Sequence, residues 1–310
     1  MQARATTFLV SLLLAATAAN AAPRDEPEAP PATQLAAIPV RLADAPTGSA
    51  FARRTEGWPE SERQRAALDA LEQGDVPSFL RQFQPVVLRG RTTRGATVTA
   101  TLWVAPDYLA IGSDTDFLYI PLAWPSATEV AQRFGCVLPT PRIVDAIYEQ
   151  AAVHLAPQPL PAGPEMRSNA YCARHQALID AQRTGVPLGA LIAGHKKDIV
   201  LSERLLLHPD RIAIYGWHRL DGRPIQPLST VHGVRYADYS HGVRLVWHEV
   251  GIEGVPREIT EVLADRDLAP VLSNEGPLHD PRDLLDPARA SVAAGSAPGG
   301  PPELRRAAQP

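Results

Sequence analysis

The sequence predicts an α+β fold in which antiparallel strands and flanking helices form mostly one body. Segments with helical spacing and segments with strand spacing come in blocks, without the strict alternation of a doubly wound sheet. The strand-like runs are short, rich in β-branched and aromatic residues, and separated by Gly or Asp. With 310 residues, of which 45% are apolar, the chain can bury a sizeable core.

The first block is helical and is followed by strands. A helix is predicted to begin at Pro59–Glu62, because acidic residues favour the positive end of a helix dipole. It is predicted to end at Gly74. A second short helix is predicted from Pro77 to Phe83. Four runs follow that we expect to pair as an antiparallel meander, at 86–88, 96–104, 108–111 and 117–120.

The second block repeats this order. Helical spacing returns at 125–134, 142–154 and 168–184. Short strands then resume around 191, 199, 212–217 and 243–247. A last helix fits residues 258–264.

Residues 1–21 are typical of a cleavable secretory signal peptide. Arg4 precedes the apolar run Phe8–Ala16, and Ala19–Ala21 matches an A-x-A cleavage pattern. The apolar run is too short to span a bilayer, so we expect no integral membrane segment after cleavage. The sequence therefore predicts a periplasmic or secreted protein.

The two flanks of the mature chain have no sustained period of 2 or 3.6. Residues 22–56 are rich in Ala and Pro and are predicted to be a flexible lead-in. Residues 286–310, rich in Gly and Pro, are predicted to be a disordered tail. The folded body is therefore expected at 57–285.

The net charge and the two cysteines limit which partners and which kinds of active site we expect. The net charge of −4 gives no basic footprint for nucleic acid, so we expect no nucleic-acid partner. In an oxidising compartment, the pair Cys136 and Cys172 is predicted to form a disulfide. The alternative is a catalytic thiolate at Cys172, with His175 three residues further along the chain.

The candidate active region spans residues 188–250. Six of the nine histidines fall between residues 195 and 248, several of them beside a glycine near a strand end. Loops at strand ends often carry catalytic side chains, so we expect His241 to face a cleft. The candidate catalytic residues are His195, Asp198, His218, Ser240, His241 and Arg244.

The densest part of this region contains His232-Gly233 and the run 240–245, Ser-His-Gly-Val-Arg-Leu. It resembles the active-site motif of the L,D-transpeptidases, secreted enzymes of peptidoglycan, whose motif combines an upstream His-Gly with Ser-His-Gly-Cys. Val243 stands where that family has its nucleophilic cysteine. The resemblance therefore implies chemistry related to the cell wall, and it does not imply acyl transfer through a cysteine.

Two mechanisms without that cysteine remain open. In the first, zinc activates water and is held by His232, Asp238 and His241, with His195 or His218 completing the shell. In the second, a serine is the nucleophile and a histidine is its base. The serine would be Ser240 or Ser229, and the orienting carboxylate would be Asp198 or Asp238.

Together these features predict an exported hydrolase that acts on a cell-wall or extracellular polymer such as peptidoglycan. The alternative is a noncatalytic exported protein that binds cell wall or glycan. In that case the same residues would form a polar, hydrogen-bonded core.

Overall fold

The computed structural model describes residues 38–286. Helices and mainly antiparallel sheets form one body, which confirms the α+β prediction. The predicted signal peptide, residues 22–37 of the lead-in and residues 287–310 of the tail lie outside the described residues. No helix in the described range is long and apolar enough to cross a membrane.

Helices surround the sheets. The α-helices of residues 38–286 are α1 (Gly48–Arg54), α2 (Glu60–Glu72), α3 (Trp124–Arg133), α4 (Pro141–Gln150), α5 (Asn169–Arg183), α6 (Arg204–Leu207), α7 (Ile259–Ala264), α8 (Ala269–Leu272) and α9 (Pro281–Leu285). Two 3₁₀ turns lie at Ser78–Arg81 and Pro164–Arg167.

Strands in the described part of the chain form four sheets. They are β1 (Gln84–Arg91), β2 (Thr97–Val104), β3 (Ala110–Gly112), β4 (Phe117–Tyr119), β5 (Cys136–Val137), β6 (Val153–His154), β7 (Ile192–Ala193), β8 (Lys197–Ile199), β9 (Ile214–His218), β10 (Pro224–Ser229), β11 (His241–Gly242), β12 (Val246–Ile252) and β13 (Val255–Glu258). The largest sheet has the order β1-β2-β12-β13, with β5 on β12. A second sheet has the order β10-β9-β8-β11, and β3-β4 and β6-β7 are separate pairs.

Local sequence signals explain several of these elements. Strand β2 alternates between buried and more exposed residues, with Ala100, Leu102 and Val104 facing the core. Helix α4 begins where the Thr140 side chain accepts a hydrogen bond from the Ile143 amide, at 3.2 Å. These strands and helices close over one continuous apolar core.

The predicted meander is only partly present. Strands β1 and β2 pair, but β3 and β4 form their own hairpin, and the second neighbour of β2 is β12. The chain leaves the sheet after β2 because the amides of Ala105 and Leu109 donate to the carbonyls of Leu245 and Val243, each at 2.9 Å. Pairing with a segment 140 residues away thus replaces the local pairing that the spacing predicted.

The described part of the predicted lead-in is ordered, which corrects that prediction for residues 38–56. Ile38 and Phe51 are 1% and 2% exposed and belong to the core. The amide of Gly48 donates to the carbonyl of Asp116 at 2.9 Å, which fixes α1 beside the β3-β4 hairpin. Burial of these two apolar side chains, together with such hydrogen bonds, docks a segment whose average composition resembles a linker.

The two cysteines are separate free thiols in the structure, so the predicted disulfide is not formed there. Cys136 lies in β5 opposite Trp247 of the large sheet, whereas Cys172 lies in α5. Burial raises the pKa of both thiols, that of Cys172 to about 11. A raised pKa is the opposite of what a catalytic thiolate needs.

Candidate functional site

Strands β8 and β11 bring the two parts of the candidate region together. They pair in parallel, with His241 opposite Lys197 and Gly242 opposite Asp198. A Cβ on Gly242 would lie 2.5 Å from the Tyr108 ring and 2.9 Å from Cβ of Lys196, so only glycine fits here. This close approach places His241 against the segment that follows His195.

The outer cluster comprises Lys197, His232, Tyr236, Asp238 and His241. The rings of His232 and Tyr236 are stacked with centroids 4.2 Å apart, and the His241 ring lies 5.9 Å from the first and 5.7 Å from the second. Lys197, His232 and Tyr236 are half-buried, and Asp238 and His241 lie beneath them. This cluster contains the three residues predicted as zinc ligands.

Asp238 is held as a carboxylate. One carboxylate oxygen accepts hydrogen bonds from the amide of Ser240 at 2.8 Å and from its hydroxyl at 2.6 Å. The other oxygen accepts a hydrogen bond from the Tyr236 hydroxyl at 2.9 Å. Burial raises the pKa of Asp238, but the attraction of His241 and Lys197 and the hydrogen bonds from Ser240 outweigh burial and hold the pKa below its ordinary value.

His241 is a buried, neutral imidazole whose two ring nitrogens have no hydrogen-bond partner among the described residues. Burial lowers its pKa to about 4, against the attraction of Asp238. The side chain is 0% exposed, so the expectation that His241 faces an open cleft is wrong. Strand β11 turns it inward, below the His232–Tyr236 stack.

Trp217, which lies beside Lys197, has a strained backbone conformation. Its φ is +56°, in the left-handed region that a bulky residue rarely adopts, and its buried indole N–H has no partner in the described structure. The ammonium of Lys197 lies 4.9 Å from the centre of the Trp217 ring. Backbone strain of this kind is concentrated at functional sites, which makes Trp217 a candidate that sequence reasoning did not select.

Behind the outer cluster lies a buried lysine. The ammonium of Lys196 donates to the carbonyl of Tyr239 at 2.5 Å and lies 3.3 Å from Nδ1 of His175. Burial lowers the pKa of Lys196 to about 8, while burial and the Lys196 charge lower that of His175 to about 2. The sequence offers His175 only as a partner of Cys172, whereas in the structure its Nδ1 contacts the Lys196 ammonium.

The predicted catalytic residue His195 belongs to a deeper ionic network. Asp107 pairs with Arg183 at 2.9 Å, accepts a hydrogen bond from the Tyr119 hydroxyl at 2.7 Å, and lies 3.2 Å from Nε2 of His195. Burial raises the pKa of Asp107, but His195, Arg183 and Arg244 outweigh burial and hold it well below its usual range. His195 is 0% exposed and packs between the rings of Tyr108 and Tyr119, and neither of its ring nitrogens has a hydrogen bond to a described residue. Its Nε2 instead lies close to the Asp107 carboxylate, as expected for a histidine of a structural ionic network.

Asp198 and Arg244 meet around Tyr108. The Tyr108 hydroxyl donates to Asp198 at 2.8 Å, and the Arg244 guanidinium lies 4.1 Å from the Tyr108 ring centre. Arg244 also donates to the carbonyls of Ala105 and Ile192, at 3.0 and 2.7 Å. Burial raises the pKa of Asp198 to about 6. These contacts give Arg244 the role of joining three chain segments.

The remaining predicted residues have other partners. His218 lies 3.0 Å from Asp145 of α4 and stacks on Tyr148, with ring centroids 4.6 Å apart. The Ser240 hydroxyl donates to Asp238 and has no hydrogen bond to a histidine among the described residues. The hydroxyl of Ser229, the other serine proposed, accepts a hydrogen bond from the Val231 amide at 3.4 Å and likewise contacts no histidine through a hydrogen bond among the described residues. The Ser–His hydrogen bond that a serine mechanism requires is therefore not formed at either serine in the described structure.

The positions of the predicted zinc ligands can be compared with the arrangement that a metal ion requires. In residues 38–286 no group of three or more His, Cys, Asp or Glu side chains is placed to hold a metal ion. Both oxygens of Asp238 already accept hydrogen bonds from Ser240 and Tyr236. The zinc site of His232, Asp238 and His241 stays a prediction, and it requires these bonds to rearrange.

The sequence predicts the main residues of the outer cluster but not the distant residues that pack behind it. Asp107, Tyr108 and Asp145 lie far from the candidate region along the chain, and no local motif marks them. No protein-family model, curated protein or solved structure matches the chain. Function is therefore inferred from the side chains that the fold brings together, and the outer cluster is the arrangement best suited to chemistry.

Proposed function

We propose that this protein is an exported hydrolase of a cell-wall or extracellular polymer, and that the outer cluster is its active site. Support for the polymer comes from the resemblance of residues 232–245 to a peptidoglycan enzyme motif and from the predicted signal peptide. Support for hydrolysis comes from the chemistry of His241.

One observation carries the proposal. His241 is a neutral imidazole with both nitrogens free of hydrogen bonds among the described residues, and it lies beside the ionised Asp238. An unpartnered buried polar group costs free energy, and one with two free nitrogens can accept a proton from water and pass it on. His195 also lacks hydrogen bonds at both ring nitrogens, but its Nε2 lies 3.2 Å from the Asp107 carboxylate, whereas His241 makes no such ion pair with a described residue.

The proposed reaction is general acid–base hydrolysis of an acyl bond. Water attacks the carbonyl carbon while His241 takes one proton from that water, and the carboxylate of Asp238 stabilises the resulting imidazolium. The imidazolium then gives the proton to the leaving nitrogen or oxygen as its bond to carbon breaks. The products are a carboxylic acid and an amine or alcohol, and no other reactant is needed.

Access to His241 requires movement of the residues above it. His232 and Tyr236 cover His241 and are themselves only half-buried. In this proposal the stacked pair moves aside when the substrate binds. Lys197, on the neighbouring strand, then supplies positive charge next to the reacting carbonyl.

The test compares His241→Gln with His208→Gln, a change of the same kind at an exposed histidine outside the cluster. Purified variants are incubated with isolated peptidoglycan, and released fragments are quantified by liquid chromatography and mass spectrometry. We expect His241→Gln to lose about 100-fold or more of the rate, the usual contribution of a general base. His208→Gln should retain wild-type activity.

Metal content measured on the same samples tests zinc. Stoichiometric zinc that is lost in His232→Ala would support the metal mechanism over a metal-free one. Binding of the wild-type protein to peptidoglycan without release of fragments would contradict the hydrolase and favour the noncatalytic binding protein. Full activity of His241→Gln would contradict the assignment of the site.

A further inference from the structure

A groove of about 630 Å³ lies between α2 and α3, within the size range of known ligand sites. The two helices run side by side in the same direction. Gln64 contacts the chain just before α3, at the Ala123 amide and the Pro121 carbonyl, and Glu72 at the end of α2 pairs with Arg133 at the end of α3. Helix α2 has 13 residues, which makes the groove about 18 Å long.

The two ends of the groove carry opposite charge. The end near the start of α2 has three arginines, Arg65, Arg167 and Arg235, and a single glutamate, Glu60. The end near Arg133 has three acidic residues, Asp69, Glu72 and Glu129. The charges lining the groove therefore balance in number but are separated along its length.

Some of these charges are already paired, and others are free. Arg167 pairs with Glu60, and Arg133 pairs with both Glu72 and Glu129, at 2.8 and 3.2 Å. Arg65 and Arg235 are exposed and have no hydrogen bond or ion pair with any described residue. Free guanidinium groups at one end of a groove are suited to bind carboxylates.

The positive end adjoins the outer cluster. The Arg167 guanidinium lies 5.2 Å from the Tyr236 ring centre, and Arg235 directly precedes Tyr236 in the chain. The amide of Trp124, at the start of α3, donates to the Val234 carbonyl at 3.1 Å, which fixes this segment to the groove. A ligand in the groove would therefore extend toward His232 and His241.

We propose that the groove binds an extended peptide segment of about six residues, with carboxylates at the end near Tyr236 and amino groups at the opposite end. The length follows from the rise of an extended chain, about 3.3 Å per residue, over the length of α2. This inference rests on the proposed function only in naming the segment as part of the substrate. Arg65 and Arg235 are then specificity residues for its carboxylates.

Isothermal titration calorimetry on the full chain tests this with five hexapeptides whose termini are blocked. Two of them carry two Glu at one end and two Lys at the other, in opposite orders. The other three carry only Glu, only Lys or no charge. We expect one order of the mixed peptide to bind at least fivefold more tightly than the others, a difference of about 1 kcal/mol. The preference should weaken as salt increases, because the pairs are exposed.

The double variant Arg65→Gln/Arg235→Gln should bind the mixed peptide at least fivefold more weakly than wild type. The control is Arg266→Gln, which removes the charge of an exposed arginine that has no ion-pair partner in the described residues and lies outside the groove. Equal binding of all peptides, no saturable binding, or equal losses in the double variant and the control would overturn the proposal. Because the assay measures binding alone, its result is independent of whether peptidoglycan is hydrolysed.

Discussion

Arg244 is a fully buried guanidinium that connects three segments of the chain. It donates to two carbonyls, lies over Tyr108, and is close enough to Asp198 and Asp107 for its charge to favour the ionised form of both carboxyls. In the sequence it was a candidate catalytic residue because it follows Ser240–Gly242. Its burial and its backbone partners indicate instead that it stabilises the folded state.

We therefore expect Arg244→Met to lower the free energy of unfolding by about 3–5 kcal/mol, since it leaves buried carboxylates and carbonyls without their cation. Arg266→Met, at an exposed position, should stay within about 0.5 kcal/mol of wild type. Urea titration followed by circular dichroism measures both. A small effect of Arg244→Met would mean that the network tolerates the loss of its central charge.

Three buried histidines make stability depend on acid. Burial lowers the pKa values of His241, His175 and His195, the first two to about 4 and about 2. Below pH 6.5 the unfolded chain takes up protons at these sites and the folded chain does not, so stability falls as the pH drops toward those values. Asp198 opposes this trend between its ordinary pKa and about 6, because the folded state keeps its proton there.

His241→Gln removes one of these sites. Between pH 6.5 and 4 the slope of unfolding free energy against pH should become shallower by up to about 1.4 kcal/mol per pH unit. Above pH 7 the slope should not change. Chemical denaturation at several pH values tests this, with exposed His208→Gln as the matched control. An unchanged acid slope would show that burial does not lower the pKa of His241 in the folded state.

At the scale of elements, helix α1 is the clearest case in which packing outweighs composition. It lies in a segment rich in Ala and Pro, yet Thr47 caps it by accepting a hydrogen bond from the Ala50 amide, and Phe51 enters the core. The amide and hydroxyl of Ser49 both donate to the Asp116 carboxylate, at 2.9 and 2.5 Å. The helix is thus part of the folded body.

Phe51→Ala should therefore cost about 3–5 kcal/mol of unfolding free energy, as expected for a buried phenylalanine. It should also expose the neighbouring Arg53–Arg54 bond to trypsin, which the native chain protects. Arg53→Ala, on the exposed side of the same helix, should change stability little. Rapid cleavage of the wild-type protein at this bond would show that α1 is not docked in solution.

At the scale of the whole molecule, the block order of helices and strands was predictable and the strand pairing was not. Helix starts such as α4 and α5 follow from the caps Thr140 and Ser168, which are local signals. One neighbour of β2, strand β12, lies more than 140 positions away, and no local pattern reveals that pairing. The pairing of β2 with β12 therefore required the structure.

The same division holds for the site. His232, Asp238 and His241 could be predicted as one group because they lie within ten consecutive residues. Asp107 and Tyr108, which support the inner side of that region, arrive from the end of β2. The burial of the site residues could not be predicted either, because a polar segment surrounded by charged residues is expected to lie at the surface.

The two free thiols allow opening of the molecule to be followed without introducing new residues. Cys172 lies beside Lys196 behind the outer cluster, and Cys136 lies in the large sheet, so a thiol reagent reaches each one only when its own region opens. Their reaction rates therefore report two separate fluctuations of one chain. A ligand that binds at the outer cluster should change the reaction rate of Cys172 and leave that of Cys136 unchanged.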